Sequence, residues 1–178
     1  MMNQSVKRWA WLGFLFTSVA GVLLHFLFDW TGSSALVACF SAVNESIWEH
    51  LKLLFVPMFA YALVTSRQMG RTYENFWYAV LRGVLRGLVL IPALYYTIQG
   101  IFGASPDWVN IGIFFFSTAL SYLTIARTLE QGSGKCRYSV IALGILWLLA
   151  LVFVIFTFSP PEIPLFQDPV SGTYGFLG

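Results

Sequence analysis

The sequence predicts an all-α protein, a five-helix transmembrane bundle with its N-terminus inside and its C-terminus outside. Composition, apolar runs of spanning length and segregated basic residues carry that reading. Of 178 residues, 58% are hydrophobic and 10% are charged, against about 25% charged in soluble domains. Exchanging the 8 Tyr of the hydrophobic count for the 15 Gly gives about 62% apolar residues, where soluble domains carry about 45–50%. A soluble domain of this length still exposes about a third of the surface of its unfolded chain, so this much apolar surface cannot be hidden from water. The composition therefore excludes a soluble enzyme, a disordered chain and a nucleic-acid binder.

Apolar runs of about 20 residues cross a bilayer as helices, because a helix satisfies its backbone N–H and C=O groups within its own segment. The first span is 9–28, preceded by Lys7 and Arg8. It is longer than a secretory h-region, so it is read as a retained helix. Leu36-Val37-Ala38-Cys39 has the look of a lipoprotein cleavage box, but residues 29–34 separate it from the apolar run. The second span is 48–65, with Pro57 inside it. The third is 84–102, with Pro92 inside and an amphipathic stretch carrying Arg82 and Arg86 at its start. The fourth is 108–126 and the fifth 139–158. An interior proline removes one helix hydrogen bond, so Pro57 and Pro92 could kink their helices and open a crevice. Tyr95, Tyr96, Thr97, Gln99, Asp107 and Asn110 could line it, or simply bond between helices. Trp30, Trp48, Trp77 and Trp108 fall near span boundaries, where amphipathic rings anchor.

These spans make residues 1–158 one transmembrane domain. Residues 159–178 form a Pro/Gly-rich tail holding four of the 7 prolines, yet also Ile163, Leu165, Phe166, Tyr174 and Phe176. Disordered tails are poor in large apolar groups, and Asp168-Pro169 and Ser171-Gly172 read as turns. The tail is expected to fold back as an ordered extracytoplasmic cap.

Orientation follows from Lys and Arg. Lys7, Arg8, Arg67, Arg71, Arg82, Arg86, Arg127, Lys135 and Arg137 all fall on one side, leaving Lys52 as the single exception among 10 basic residues. Segments 30–47, 103–107 and 159–178 contain neither Lys nor Arg. Cys39 and Cys136 then lie on opposite sides, where no disulfide can join them.

The acidic residues run the other way. Asp29, Glu45, Glu49, Asp107, Glu162 and Asp168 are expected at the outer boundary with both histidines. His25 and Asp29 are four residues apart and share a helix face. Asn44, Glu45, Ser46, Glu49, His50 and Lys52 open the second helix, with Ser46, Glu49 and His50 in a sector about 100° wide. Two antiparallel helices thereby bring His25, Asp29, Glu49 and His50 to similar depth. Two imidazoles and one or two carboxylates suit a divalent transition metal with open positions for water. Glu45 or Glu49 could then serve as a general base. The competing reading is local: Ser46-x-x-Glu49 fits a capping box, Asn44 and Glu45 suit a helix start, and Lys52 can pair with Glu49. That reading leaves His25 and His50 unexplained. Arg82 and Arg86 each precede a glycine of a Gly83-x-x-x-Gly87 step, which suits close helix packing with snorkelling arginines, or anionic-lipid binding.

The run Val43-Asn44-Glu45-Ser46-x-Trp48-Glu49-His50-Leu51-Lys52, with His25-Phe26-x-x-Asp29-Trp30 before it, resembles a family of small uncharacterised bacterial multi-pass membrane proteins. The tail Asp168-Pro169-Val170-x-Gly172-x-Tyr174-Gly175 is similar to that family's C-terminal signature. The resemblance implies a bacterial cytoplasmic-membrane location and brings no activity, cofactor or catalytic residue with it. Three roles stay open: a binding or assembly protein, a metal-dependent hydrolase acting on a lipid or envelope substrate, and a small cation or proton transporter or channel. Membrane lipid is the expected partner, with a protein partner or a second copy also open.

The orientation has a direct test. In a chain freed of its native cysteines, a cysteine placed near Ser171 should react with an impermeant thiol reagent in intact cells, and one near Gly134 should not. The reverse labelling would invert the bundle.

Overall fold

A computed structural model describes residues 3–131 and 136–176. The described residues form six helices: α1 Gln4–Trp30, α2 Ala35–Ala38, α3 Ile47–Thr72, α4 Phe76–Phe102, α5 Asp107–Glu130 and α6 Cys136–Phe158. No strand occurs among them, only an isolated antiparallel bridge between Gln167 and Tyr174. Five of the helices, all but α2, are long and apolar enough to cross a membrane. At 1.5 Å per residue, α1 with its 27 residues is about 40 Å long, beyond the roughly 30 Å of a hydrocarbon core.

The helices run past the apolar segments because their ends are completed by polar or amphipathic turns. The Asn3 side chain accepts the Ser5 N–H and caps α1 at 3.0 Å. Helix α4 starts at Phe76, where a start at 84 was expected, because Phe76, Ala79, Val80 and Gly83 make a buried stripe at helical spacing. It ends at Gly103, whose φ of 74° is the left-handed conformation that glycine adopts without strain. The four-residue α2 was not anticipated, being too short for periodicity to reveal.

Helices α1, α3, α4 and α5 close a ring in which each packs against two others, and α6 flanks the ring against α4 and α3. The core contains Trp9, Leu54, Phe55, Phe76, Tyr122 and Ile125, all buried. Aromatic edges meet inside it, with the Trp9 ring 5.8 Å from Phe76 and 5.9 Å from Tyr122. Two polar contacts in this core cross between helices: Thr17 Oγ1 and Tyr122 OH lie 2.8 Å apart, and Trp9 Nε1 donates to Thr65 Oγ1 at 3.0 Å. The outer faces of α1 and α6 instead expose Leu12, Val19, Leu23, Val140, Leu148 and Leu151. Lipid solvates such a surface and water does not.

Pro57 stands inside an uninterrupted α3. Having no N–H, it leaves the Leu53 carbonyl without its usual i+4 donor. Gly21 of α1 packs on that carbonyl: a Cβ at Gly21 would come within 2.7 Å of Leu53 O and 2.7 Å of the Phe114 ring. The absence of a side chain there sets the α1–α3 spacing one turn below His25.

Chain alternation brings the ends of α1, α4 and α6, the starts of α3 and α5, loop 31–46 and the tail to one end of the bundle, called here the tail end. The other end carries Lys7, Arg8, Arg67, Arg71, Arg82, Arg86 and Arg127. Lys135 and the side chains of Cys136 and Arg137 lie outside the described residues, and with them the proposed separation of the two thiols. Cys39 is a half-buried free thiol.

Candidate metal centre

Helix α3 begins with the capping chemistry its sequence promises. Asn44 Oδ1 accepts the Ser46 N–H at 3.0 Å, and Ser46 Oγ accepts the Glu49 N–H at 3.3 Å. The second half of a capping box would return the Glu49 carboxylate to the Ser46 N–H. Here Glu49 Oε2 instead accepts the Val43 N–H at 3.0 Å, tying the loop further back.

Glu49 and Lys52 are buried, at 1% and 0% exposure. Lys52 Nζ lies 2.5 Å from Glu49 Oε2. It also donates to Ala38 O at 2.9 Å and Thr157 Oγ1 at 2.8 Å. All three ammonium hydrogens are thus engaged, the condition on which a buried cation is tolerated. The Thr157 hydroxyl also lies 3.2 Å from Glu49 Oε1 and 2.9 Å from Phe153 O. One buried knot therefore joins loop 31–46, α3 and α6.

The tail closes over it. Trp48 N donates to Leu165 O at 3.0 Å, Asn44 Nδ2 to Gly175 O at 3.2 Å, and Phe176 N to Thr157 O at 2.8 Å. Phe166 is buried, its ring 4.7 Å from Trp48. Tyr174 is half-buried and Ile163 exposed. The Asp168 carboxylate holds the turn, accepting the Val170 N–H at 2.9 Å and the Ser171 hydroxyl at 2.6 Å.

His50 is the neighbour of Glu49 but points about 100° away around the helix, toward α1. Its ring centroid lies 5.2 Å from that of His25. Glu45 spans the two: Oε1 is 3.8 Å from His25 Nε2 and Oε2 is 3.5 Å from His50 Nε2. One ligand atom from each of His25, Glu45 and His50 lies within 4.8 Å of the others. His50 Nδ1 is 2.9 Å from Ser46 O. A carbonyl only accepts, so Nδ1 carries the hydrogen and Nε2 presents its lone pair. His25 Nδ1 is buried and lacks a hydrogen-bond partner.

The structure thus draws the cluster differently from the sequence reading. Glu49, expected beside the histidines, turns to Lys52, because the edges of a 100° sector face different neighbours. Asp29, expected as a ligand, is exposed and falls outside the group within 4.8 Å. Glu45, considered only as a base, occupies the place between the imidazoles. Asn44 and Ser46 shape the loop, while Asp107 is an exposed first-turn residue of α5. Thr157 was missed; its only sequence signal is a hydroxyl near the end of a run otherwise almost entirely apolar.

Replacing Lys52 by Met should strand Glu49 and lower stability by about 3–5 kcal/mol, the usual result of breaking a buried pair. Adding Glu49→Gln should recover part of that loss. Denaturation of the detergent-solubilised variants checks both; a Lys52→Met protein as stable as the parent would contradict the structural role.

No curated protein and no solved structure matches this chain. Residues 1–176 match the model of the Family of unknown function (DUF6512), and on that coverage the chain belongs to this family.

Proposed function

We propose that the protein is an integral membrane protein of the bacterial cytoplasmic membrane, N-terminus inside and C-terminus outside, that binds a divalent transition metal at its tail end through His25, Glu45 and His50. The hydrogen bond from His50 Nδ1 to Ser46 O carries this reading. Ligating histidines commonly donate their second ring N–H to a carbonyl or carboxylate, which fixes the tautomer and aims the free nitrogen at the metal. Two imidazole nitrogens and a carboxylate suit zinc or a neighbouring first-row ion. Zinc sits about 2.0–2.2 Å from such ligands, so the cluster must contract on binding. Glu45, with its side chain 49% exposed and on a loop, is free to supply that movement.

A binding role fits better than a hydrolase. Glu49, the spare base that hydrolysis would call on, is committed to Lys52 and the Val43 N–H. Passage of ions also finds little support. One turn below His25, Gly21 is closed off by the Leu53 carbonyl and the Phe114 ring.

Purified protein titrated with Co(II) or Zn(II) should bind one ion per chain, with the Co(II) absorption of a nitrogen and oxygen site. His50→Ala removes a ligand outright and should weaken binding by more than the roughly 10–100-fold that follows loss of only a ligand's hydrogen-bond partner. Because the ligating histidines must be neutral, affinity should fall as the solution is acidified. Identical titrations for the parent and a His25→Ala/His50→Ala variant would overturn the metal site.

A further inference from the structure

We propose that Arg82 and Arg86 form a binding site for the phosphate headgroup of an anionic phospholipid, between α4 and α5 at the basic end of the bundle. Both side chains are exposed. Around them the surface is apolar, with Leu85 at 42% and Val89 at 65% exposure. Arg86 lies about 15 Å along α4 from its start, at 1.5 Å per residue. A cation at such a place faces lipid, where it calls for a partner. Among the described residues the ion pairs involve only His25, His50 and Lys52, so neither arginine has a carboxylate beside it.

The two guanidinium groups are nevertheless held. Gly83 and Gly87 bring α4 against α5 so closely that a Cβ on either would meet Ser121 atoms, at 2.7 Å and 2.6 Å respectively. That approach aligns two rungs. Arg82 Nη1 donates to Thr128 Oγ1 at 3.4 Å, and Arg86 Nη1 to Thr124 Oγ1 at 2.7 Å. Each threonine hydroxyl spends its own hydrogen on a carbonyl one turn back, Thr124 on Leu120 O and Thr128 on Thr124 O, both at 2.8 Å. The oxygens are thereby left as acceptors for the arginines.

Each guanidinium has five N–H groups and gives one to its threonine. The two arginines stand one turn apart on α4, close enough for their remaining N–H groups to serve a single phosphate. Helical side chains lean toward their helix N-terminus, so both arginines reach toward the basic end, where headgroups would lie. Arg82 also lies over the Tyr78 ring, 5.9 Å from its centroid. The occupant we assign is a phosphoglycerol-type lipid and not a soluble phosphate, because the rim is formed by apolar residues that acyl chains can cover.

Native mass spectrometry of the full chain released from detergent, with phosphatidylglycerol or phosphatidylcholine added, reads this directly. The parent should retain one phosphatidylglycerol with roughly tenfold or greater preference over phosphatidylcholine. Arg82→Gln/Arg86→Gln should abolish that preference. Lys7→Gln/Arg8→Gln, which removes equal charge elsewhere, should leave it intact. If the double arginine variant fails to fold, Arg86→Gln alone and Thr124→Val should each reduce the preference. An equal preference in the arginine variants, or its loss in the Lys7/Arg8 control, would overturn the site. Inorganic phosphate binding more tightly than the lipid with the same arginine dependence would overturn the lipid assignment.

Discussion

Lys52 Nζ and Glu49 Oε2 meet 2.5 Å apart with essentially no solvent exposure, and the tail end of the bundle is organised around that contact. Desolvating two charges costs several kcal/mol per ion before their attraction is counted. The cost is offset only if every remaining hydrogen-bonding group is matched, and the matching partners come from three separate segments, with the tail bonded to one of them. Ala38 supplies a carbonyl from α2, Val43 an N–H from the loop, Thr157 a hydroxyl from α6, and Phe176 of the tail bonds to the Thr157 carbonyl. A helix carrying an apolar face alone could slide or rotate by small amounts at little cost. A charge pair with fixed partners cannot. The pair therefore converts five apolar helices, whose mutual packing is only loosely specified by lipophilicity, into an end with a defined register.

That register is what brings the histidines together. His50 shares a turn with Glu49, so fixing the carboxylate toward α6 fixes the imidazole toward α1. Gly21, against the carbonyl that Pro57 leaves free, sets how near α1 comes one turn below His25. Glu45 sits in the loop between Val43, held by Glu49, and Ser46, which caps α3 and holds the His50 ring. The electrostatic knot and the His25–Glu45–His50 group are thus two sides of one helix start. The buried side is structural and saturated, while the partly exposed side keeps lone pairs unspent.

The number and approximate place of the long helices were legible because the requirement that creates them acts on each segment alone: a span must be apolar and about 20 residues long. The starts and stops were less legible. Phe76–Gly83 is amphipathic and reads as an approach to a span, until its buried stripe is seen against its neighbours. The site was legible in composition and not in pairing. Periodicity places Glu49 and His50 on one broad face, but it cannot say that α6 and α1 border that face on opposite edges. Glu45 lies before the helix, where no period applies. Thr157 contributes through its position opposite Lys52, more than a hundred residues away in sequence, which no local pattern encodes. The tail's content of Leu165 and Phe166 did signal burial, and Phe166 is 4% exposed.

If the Glu49–Lys52 pair is the element that sets the tail end, its loss must be felt in every segment that contributes a partner and not only locally. Backbone hydrogen exchange of the detergent-solubilised protein, parent against Lys52→Met, measures this segment by segment. Loop 31–46, the start of α3 and residues 159–176 should lose protection together, while the α4–α5 contact around Gly83 and Gly87 keeps its protection. Loss confined to the α3 start, with loop and tail as protected as in the parent, would contradict the account.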